Sequence, residues 1–223
     1  MTINEPATLL TDYLLALLGM VCGWRMGRFA NPSQRWWSRA LWLSGAAAMV
    51  GGTHHGFGPQ LGDAASTALW RATLVLISLT SAAMSLTLVH EFAPAPRHRV
   101  WSFLVWAKFA GFASLGLINP VFLVAITDYG LAMLALAAAA LLSDRAWRRP
   151  MLAAVGFSAL AAAVQQMHWG VSAHFNHNDL YHLIQAIAVF LFYGAGLKLG
   201  ACGDESQVNR KNSRLKVDER RRF

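Results

Sequence analysis

Val121-Phe-Leu-Val-Ala-Ile-Thr-Asp-Tyr-Gly-Leu-Ala-Met-Leu-Ala-Leu-Ala-Ala-Ala-Ala-Leu-Leu142 carries a single charge, Asp128. It is longer than the roughly 20 residues that cover a bilayer's hydrocarbon. An apolar run of that length must satisfy its own backbone, which an α-helix does. Six other stretches approach or reach the same length: Leu9–Trp24, Ala40–His54, Ala65–Val89, Val100–Leu117, Leu152–Trp169 and Asp179–Leu199. Between the fourth and fifth runs in chain order the only punctuation is Asn119 and Pro120. The composition fits the same reading, with 56% hydrophobic and 13% charged residues and a mean hydropathy of +0.39. A soluble domain carries about 25% charged residues. The expected fold class is therefore all-α: a polytopic membrane protein with a seven-transmembrane helix bundle over residues 1–200. A basic, disordered cytoplasmic tail is expected over 201–223.

The basic residues predict an orientation. Arg25, Arg28, Arg35 and Arg39 separate runs one and two, and Arg97 and Arg99 separate three and four. Arg145, Arg148 and Arg149 separate five and six, and Lys198 opens the tail. The N-terminus and the remaining loops hold no Lys or Arg. The positive-inside rule then places the N-terminus outside and the C-terminus in the cytoplasm of a multi-pass cell-membrane protein, taken as a bacterial inner-membrane one. The first run has no basic residues before it and reads as a retained span. The net charge of +8 follows from this asymmetry and gives no ground for a nucleic-acid partner. The tail, through Arg220, Arg221 and Arg222, is expected to meet anionic lipid head groups. Cys22 lies within a span and Cys202 in the tail, so no structural disulfide is expected.

Six of the eight histidines fall on one side of this arrangement: His54, His55, His168, His174, His177 and His182. Imidazoles at one depth, brought from distant segments, point to a built site, and a metal ion is the simplest occupant. Span two reads Ser44-Gly-Ala-Ala-Ala48 and then Val50-Gly-Gly-Thr-His-His55. Its small side chains allow close backbone approach, which predicts a helix through the middle of the bundle. Neighbouring residues on a helix diverge by about 100°, so one of His54 and His55 is expected to face inward. Asp63, in Gln60-Leu-Gly-Asp63, reads as a proton acceptor, a metal's outer partner or a helix N-terminal charge. Arg71 reads as a surface cation or a partner of Asp63 or Asp128, and Lys108 as a snorkelling cation.

Asn176-His-Asn-Asp-Leu-Tyr-His182 opens the last span, with Asn176 or Asn178 as its cap. Asn178, Asp179, His182 and Gln185 share one face by their spacing, a polar stripe that packing alone does not explain. His177 would face elsewhere in a continuous helix. His168 reads either as a ligand or as a histidine bonded to its neighbours, with Gln165 on its face. His90 and His98 read as ordinary interfacial residues.

These motifs resemble those of the alkaline ceramidase and CREST group of seven-span membrane hydrolases. That group places a His at the end of span two, an Asp near the start of span three and a His-x-x-x-His pair on span seven. His54 or His55, Asp63 and His182 take those positions here. Asn178 stands where the first histidine of the pair would be, so a ligand is expected from His177 or Asp179. The group's serine is replaced by Val50 or Gly51, with Thr53 offering a hydroxyl. The resemblance implies a Zn2+ ion and cleavage of an amide or ester bond in a membrane lipid similar to ceramide. His54 or His55, His177 or Asp179, and His182 would hold zinc, with Asp63 moving a proton and Asn178, Gln185 and His168 behind the ligands. The rival readings are a metal- or haem-binding protein without catalysis and a histidine-based transporter or sensor.

Overall fold

The computed structural model describes residues 3–172 and 175–200, so His174 and the whole tail from 201 lie outside the described residues. Among the described residues seven α-helices make up the fold: α1 (Pro6–Met26), α2 (Pro32–Leu61), α3 (Asp63–Phe92), α4 (His98–Ile118), α5 (Phe122–Leu141), α6 (Arg148–Gln166) and α7 (His177–Gly196). Among the described residues there is no β-strand, and a lone bridge joins Ser172 and Phe175. Five helical segments are long and apolar enough to cross a membrane: α1, α3, α4 with its preceding turn from Ala95, α5 and α7. The residue types at the helix ends explain their boundaries. Proline opens α1 and α2, where its missing N–H costs nothing, and Asn31 caps α2 by accepting from the Ser33 amide. Asn119 and Pro120 do separate α4 from α5.

The second helix departs from the sequence reading. It begins at Pro32, ahead of the apolar run at Ala40, because Arg35 and Arg39 extend it outward as solvated helix. It also runs past both histidines to Leu61, through Pro59 in its last turn, where a proline ring removes few helical bonds. Gly62, at φ 78°, then turns the chain directly into α3. His54 and His55 therefore lie inside a helix and not at its end.

The helices form a ring. In the order α1, α2, α3, α5, α6, α7 each packs on the next, and α7 returns to α1. The fourth helix stands outside this ring, against α3 and α5, and Gly116 is its one buried residue. Thus α2 is a wall of the ring and not its axis, a correction to the sequence reading. Of its glycines, Gly45, Gly52 and Gly56 face α1, whereas Gly51 and Gly58 face α3. A Cβ on Gly45 would lie 2.7 Å from the Ala16 carbonyl, and one on Gly19 would lie 2.9 Å from that of Leu41. The absence of side chains lets α1 and α2 meet backbone to backbone.

One end of the ring is packed shut. Trp37, Phe192, Met26, Trp147 and Met151 are buried there, and the Trp37 indole donates to the Phe192 carbonyl at 2.8 Å. Outside the ring, Lys108 of α4 pairs with the fully buried Asp128 of α5 and donates to Ser81 of α3 at 2.7 Å. Lys108 is thus a cross-link and not a snorkelling side chain, and Asp128 is taken by it and not by Arg71.

Candidate functional site

Away from its packed end the ring encloses a cavity of about 590 Å³, lined by residues of all six ring helices. That volume is in the range of sites that hold a small organic ligand. Its walls divide by chemistry. Leu15, Ala47, Ile77, Ile126, Met133 and Val155 make a long apolar part, whereas Asp12, His55, His177, Tyr181, His182 and Gln185 gather toward the other end. From His55 to Ser44, both lining residues of α2, the helix rises about 16 Å.

The polar end is built on the seam between α1 and α7. Thr8, Thr11 and Asp12 share a face of α1 by their spacing, as Asp179 and His182 do on α7. The Thr8 hydroxyl donates to Asp179 Oδ1 at 2.8 Å. The Thr11 hydroxyl lies 3.1 Å from His182 Nδ1, and Asp12 Oδ1 lies 3.1 Å from His182 Nε2. The Thr11 hydroxyl also donates to the Ala7 carbonyl at 3.0 Å and the Thr8 carbonyl at 3.1 Å, so its single hydrogen is shared. Both side chains are buried, His182 at 7% and Asp12 at 4% exposure. The other carboxylate oxygen, Asp12 Oδ2, is buried without a hydrogen-bond partner among the described residues. A buried, unpaired acceptor on a cavity wall is costly unless something in the cavity donates to it.

His55 reaches the cavity from α2. Its Nδ1 lies 3.3 Å from Glu5 Oε2, near enough for an ion pair. The two adjacent histidines diverge, as their helical spacing requires. His54 turns to Ser66, whose hydroxyl lies 3.3 Å from its Nδ1, and its ring lies 5.3 Å from that of Trp70. His54 lines a separate recess of about 220 Å³ with Glu5, His55, Asp63 and Ser66.

The remaining sequence candidates are dispersed. Asp63 is the exposed first residue of α3 and borders that outer recess, not the central cavity. Thr53 donates to the Met49 carbonyl and pairs with Tyr13 at 3.0 Å, on the side of α2 that faces α1. Asp179 is fully buried but already engaged: its Oδ2 accepts from the Asn176 amide at 2.7 Å, closing a capping box, while Oδ1 takes Thr8. His177 begins α7 and lines the cavity, and its ring lies 4.6 Å from that of His168. His168 is exposed, with φ 55°. Asn178 and Gln185 line the cavity, Gln185 beside the Tyr129 hydroxyl.

Among the described residues, no three His, Cys, Asp or Glu side chains converge as a metal-ion site. Both ring nitrogens of His182 and both oxygens of Asp179 are occupied by protein groups. As arranged, these donors do not fit a zinc ion, and the chemistry below passes through none.

Sequence reasoning missed Glu5, Thr8, Thr11 and Asp12. The signal was present: Asp12 is a lone carboxylate in an otherwise apolar run, and such a residue is a functional candidate by default.

A family model described as Family of unknown function (DUF6962) matches residues 7–201, and the chain belongs to that family. No curated protein and no solved structure matches it.

Proposed function

We propose that this member of the family is a membrane-embedded hydrolase that draws the apolar part of a lipid-like molecule into its ring and cleaves an amide or ester bond at the polar end. The cavity carries this reading, being apolar along its length, polar at one end and open sideways. Leu134 lines it yet is 68% exposed. Ala159 of the neighbouring helix is likewise both lining and exposed. Both lie where α5 meets α6, the sparsest of the ring's contacts. At Gly130, also a lining residue, an added Cβ would meet nothing within 4 Å. A chain dissolved in the bilayer enters there without crossing water.

The basic residues support seven crossings of a cell membrane. Arg25, Arg35, Arg97, Arg145 and Lys198 all fall at the packed end of the ring, which supports a cytoplasmic position for that end and an outer one for the cavity's polar end. In the ring, α2 and α6 stand beside four of the five apolar helices, α1, α3, α5 and α7, which supports counting both as spans.

The chemistry rests on Asp12 and His55. Asp12 Oδ2 accepts a hydrogen bond from the substrate's N–H or O–H and orients the head. His55, held by Glu5, takes a proton from water at Nε2 as the water oxygen bonds to the carbonyl carbon. The bond from carbon to nitrogen or oxygen then breaks, and the same proton passes to the leaving group, giving a carboxylic acid and an amine or alcohol. The ceramidase-like expectation from the sequence belongs to this reaction class.

The test uses purified protein in phosphatidylcholine vesicles carrying an N-acyl or O-acyl long-chain amphiphile, with released fatty acid measured by mass spectrometry. Release by the native chain, reduced about 10²–10⁴-fold in His55→Gln, is expected of a lost general base. A native chain that binds these amphiphiles and releases no acid from either would be a receptor, and the hydrolase reading would fail.

A further inference from the structure

At the opposite end of the molecule, the last turn of α3 meets the starts of α2 and α4. His90 of α3 and His98 of α4 set their rings 4.8 Å apart, edge to face. Arg35 of α2 and His98 are the charged groups that act on His90. The one carboxylate nearby in sequence, Glu91, is turned away. It pairs with Arg145 and accepts from the Gly200 amide at 3.4 Å. Ion pairs among the described residues join His55 to Glu5, Lys108 to Asp128, Arg145 to Glu91, Arg148 to Asp144 and His182 to Asp12. None of them uses Arg35, His90 or His98. Two imidazoles from α3 and α4 thus face each other within electrostatic reach of Arg35 of α2, with no carboxylate paired to any of the three among the described residues.

The surroundings belong to a membrane interface. The Arg39 guanidinium sits 4.2 Å over the Trp36 ring, and Trp36 meets Trp106 of α4 at 6.4 Å. Trp101 is exposed on the same helix. Indoles seated at head-group depth beside guanidinium groups fix the level at which a lipid phosphate lies.

We infer that Arg35, His90 and His98 form a phosphate-binding site at the packed end of the bundle, distinct from the central cavity. Arg35 supplies the permanent charge and a planar pair of donors for phosphate oxygens. The two imidazoles add donors, and a bound dianion or phosphodiester relieves their mutual repulsion. His98 has one nitrogen committed, Nε2, which lies 2.9 Å from the Ala93 carbonyl, so its Nδ1 is the atom for the ligand and donates to it in the protonated ring. The phosphate arrives either as the head group of an anionic lipid or as a free phosphate.

The full chain in detergent distinguishes these sources. Its thermal unfolding and its native mass spectrum are recorded with phosphatidylglycerol, with phosphatidylcholine and with inorganic phosphate. Retention of phosphatidylglycerol over phosphatidylcholine, lowered about tenfold or more in Arg35→Gln/His98→Gln, supports a lipid head-group site. The same loss seen with inorganic phosphate supports a site for soluble phosphate. Arg25→Gln/Arg28→Gln removes at least as much charge from the same end and is expected to bind as the native chain does. Equal loss in both double variants would reduce the site to a diffuse basic surface and overturn it, as would unchanged binding in Arg35→Gln/His98→Gln. Unfolding without additives verifies that each variant is folded.

Discussion

His182 and Asp12 meet 3.1 Å apart across the seam of the first and last helices, joining residues from the two ends of the chain at the head of the cavity. Removing the carboxylate leaves a buried imidazole nitrogen without its partner. Asp12→Ala is expected to lower stability by about 1–3 kcal/mol. Asp12→Asn, which keeps an acceptor for His182, is expected to stay near native stability and to lose turnover. Denaturant unfolding and vesicle assays on both variants separate the two effects, and equal stability loss in both would deny the pairing its structural role.

Outside the ring the balance is harsher. Lys108→Met abandons Asp128, which is fully buried, and a broken buried ion pair costs about 3–5 kcal/mol. The double variant Lys108→Met/Asp128→Leu is expected to recover most of that loss, because neither charge then remains. A double variant no more stable than the single one would mean that the cost lies in packing and not in the stranded carboxylate.

Where α5 and α6 part, Gly130→Trp fills space that no atom now occupies. Turnover of long-chain amphiphiles is expected to fall while the unfolding temperature hardly moves. Unaltered turnover would show that substrates enter elsewhere.

The seam between α1 and α2 tolerates nothing of the kind. Gly45→Val drives a side chain into the backbone around Ala16, where even a Cβ would approach to 2.7 Å. Overpacking of a core typically costs about 1–3 kcal/mol, and here the obstacle is main chain. The variant is expected to lose its folded yield in detergent, as read by gel filtration. A native-like elution profile would mean that the helices can separate without penalty.

Much of the architecture was legible because apolar runs and Arg-rich connectors report helices directly. The Asn119-Pro120 break and the polar stripe of Asp179, His182 and Gln185 were read from spacing alone, as was the divergence of His54 from His55. The start of α2 was not, because a solvated helical extension holding Arg35 and Arg39 looks like a loop to a hydropathy scan. The ring was also hidden: glycines in α2 signal close approach but not which neighbour approaches, and α1 proved to be the one met backbone to backbone, at Gly45. Attention to histidines drew the eye from Asp12, whose importance depends on a contact 170 residues away in the chain. Asp179 misled for the opposite reason. A carboxylate three residues after Asn176 suits a cap as well as a ligand, and the Asn176 amide together with Thr8 takes both its oxygens.

The fourth helix has a consequence for how the chain could be taken apart. It supplies no residue to the chamber's wall, yet its 21 residues carry the chain about 31 Å, from the end of α3 back to the start of α5. No short link could replace it, because Pro120, beside the start of α5, meets Trp70 near the beginning of α3 and not its end. A chain with an unrelated apolar span in its place, Lys108 kept, that still holds an amphiphile would show that this helix is a buttress rather than part of the vessel.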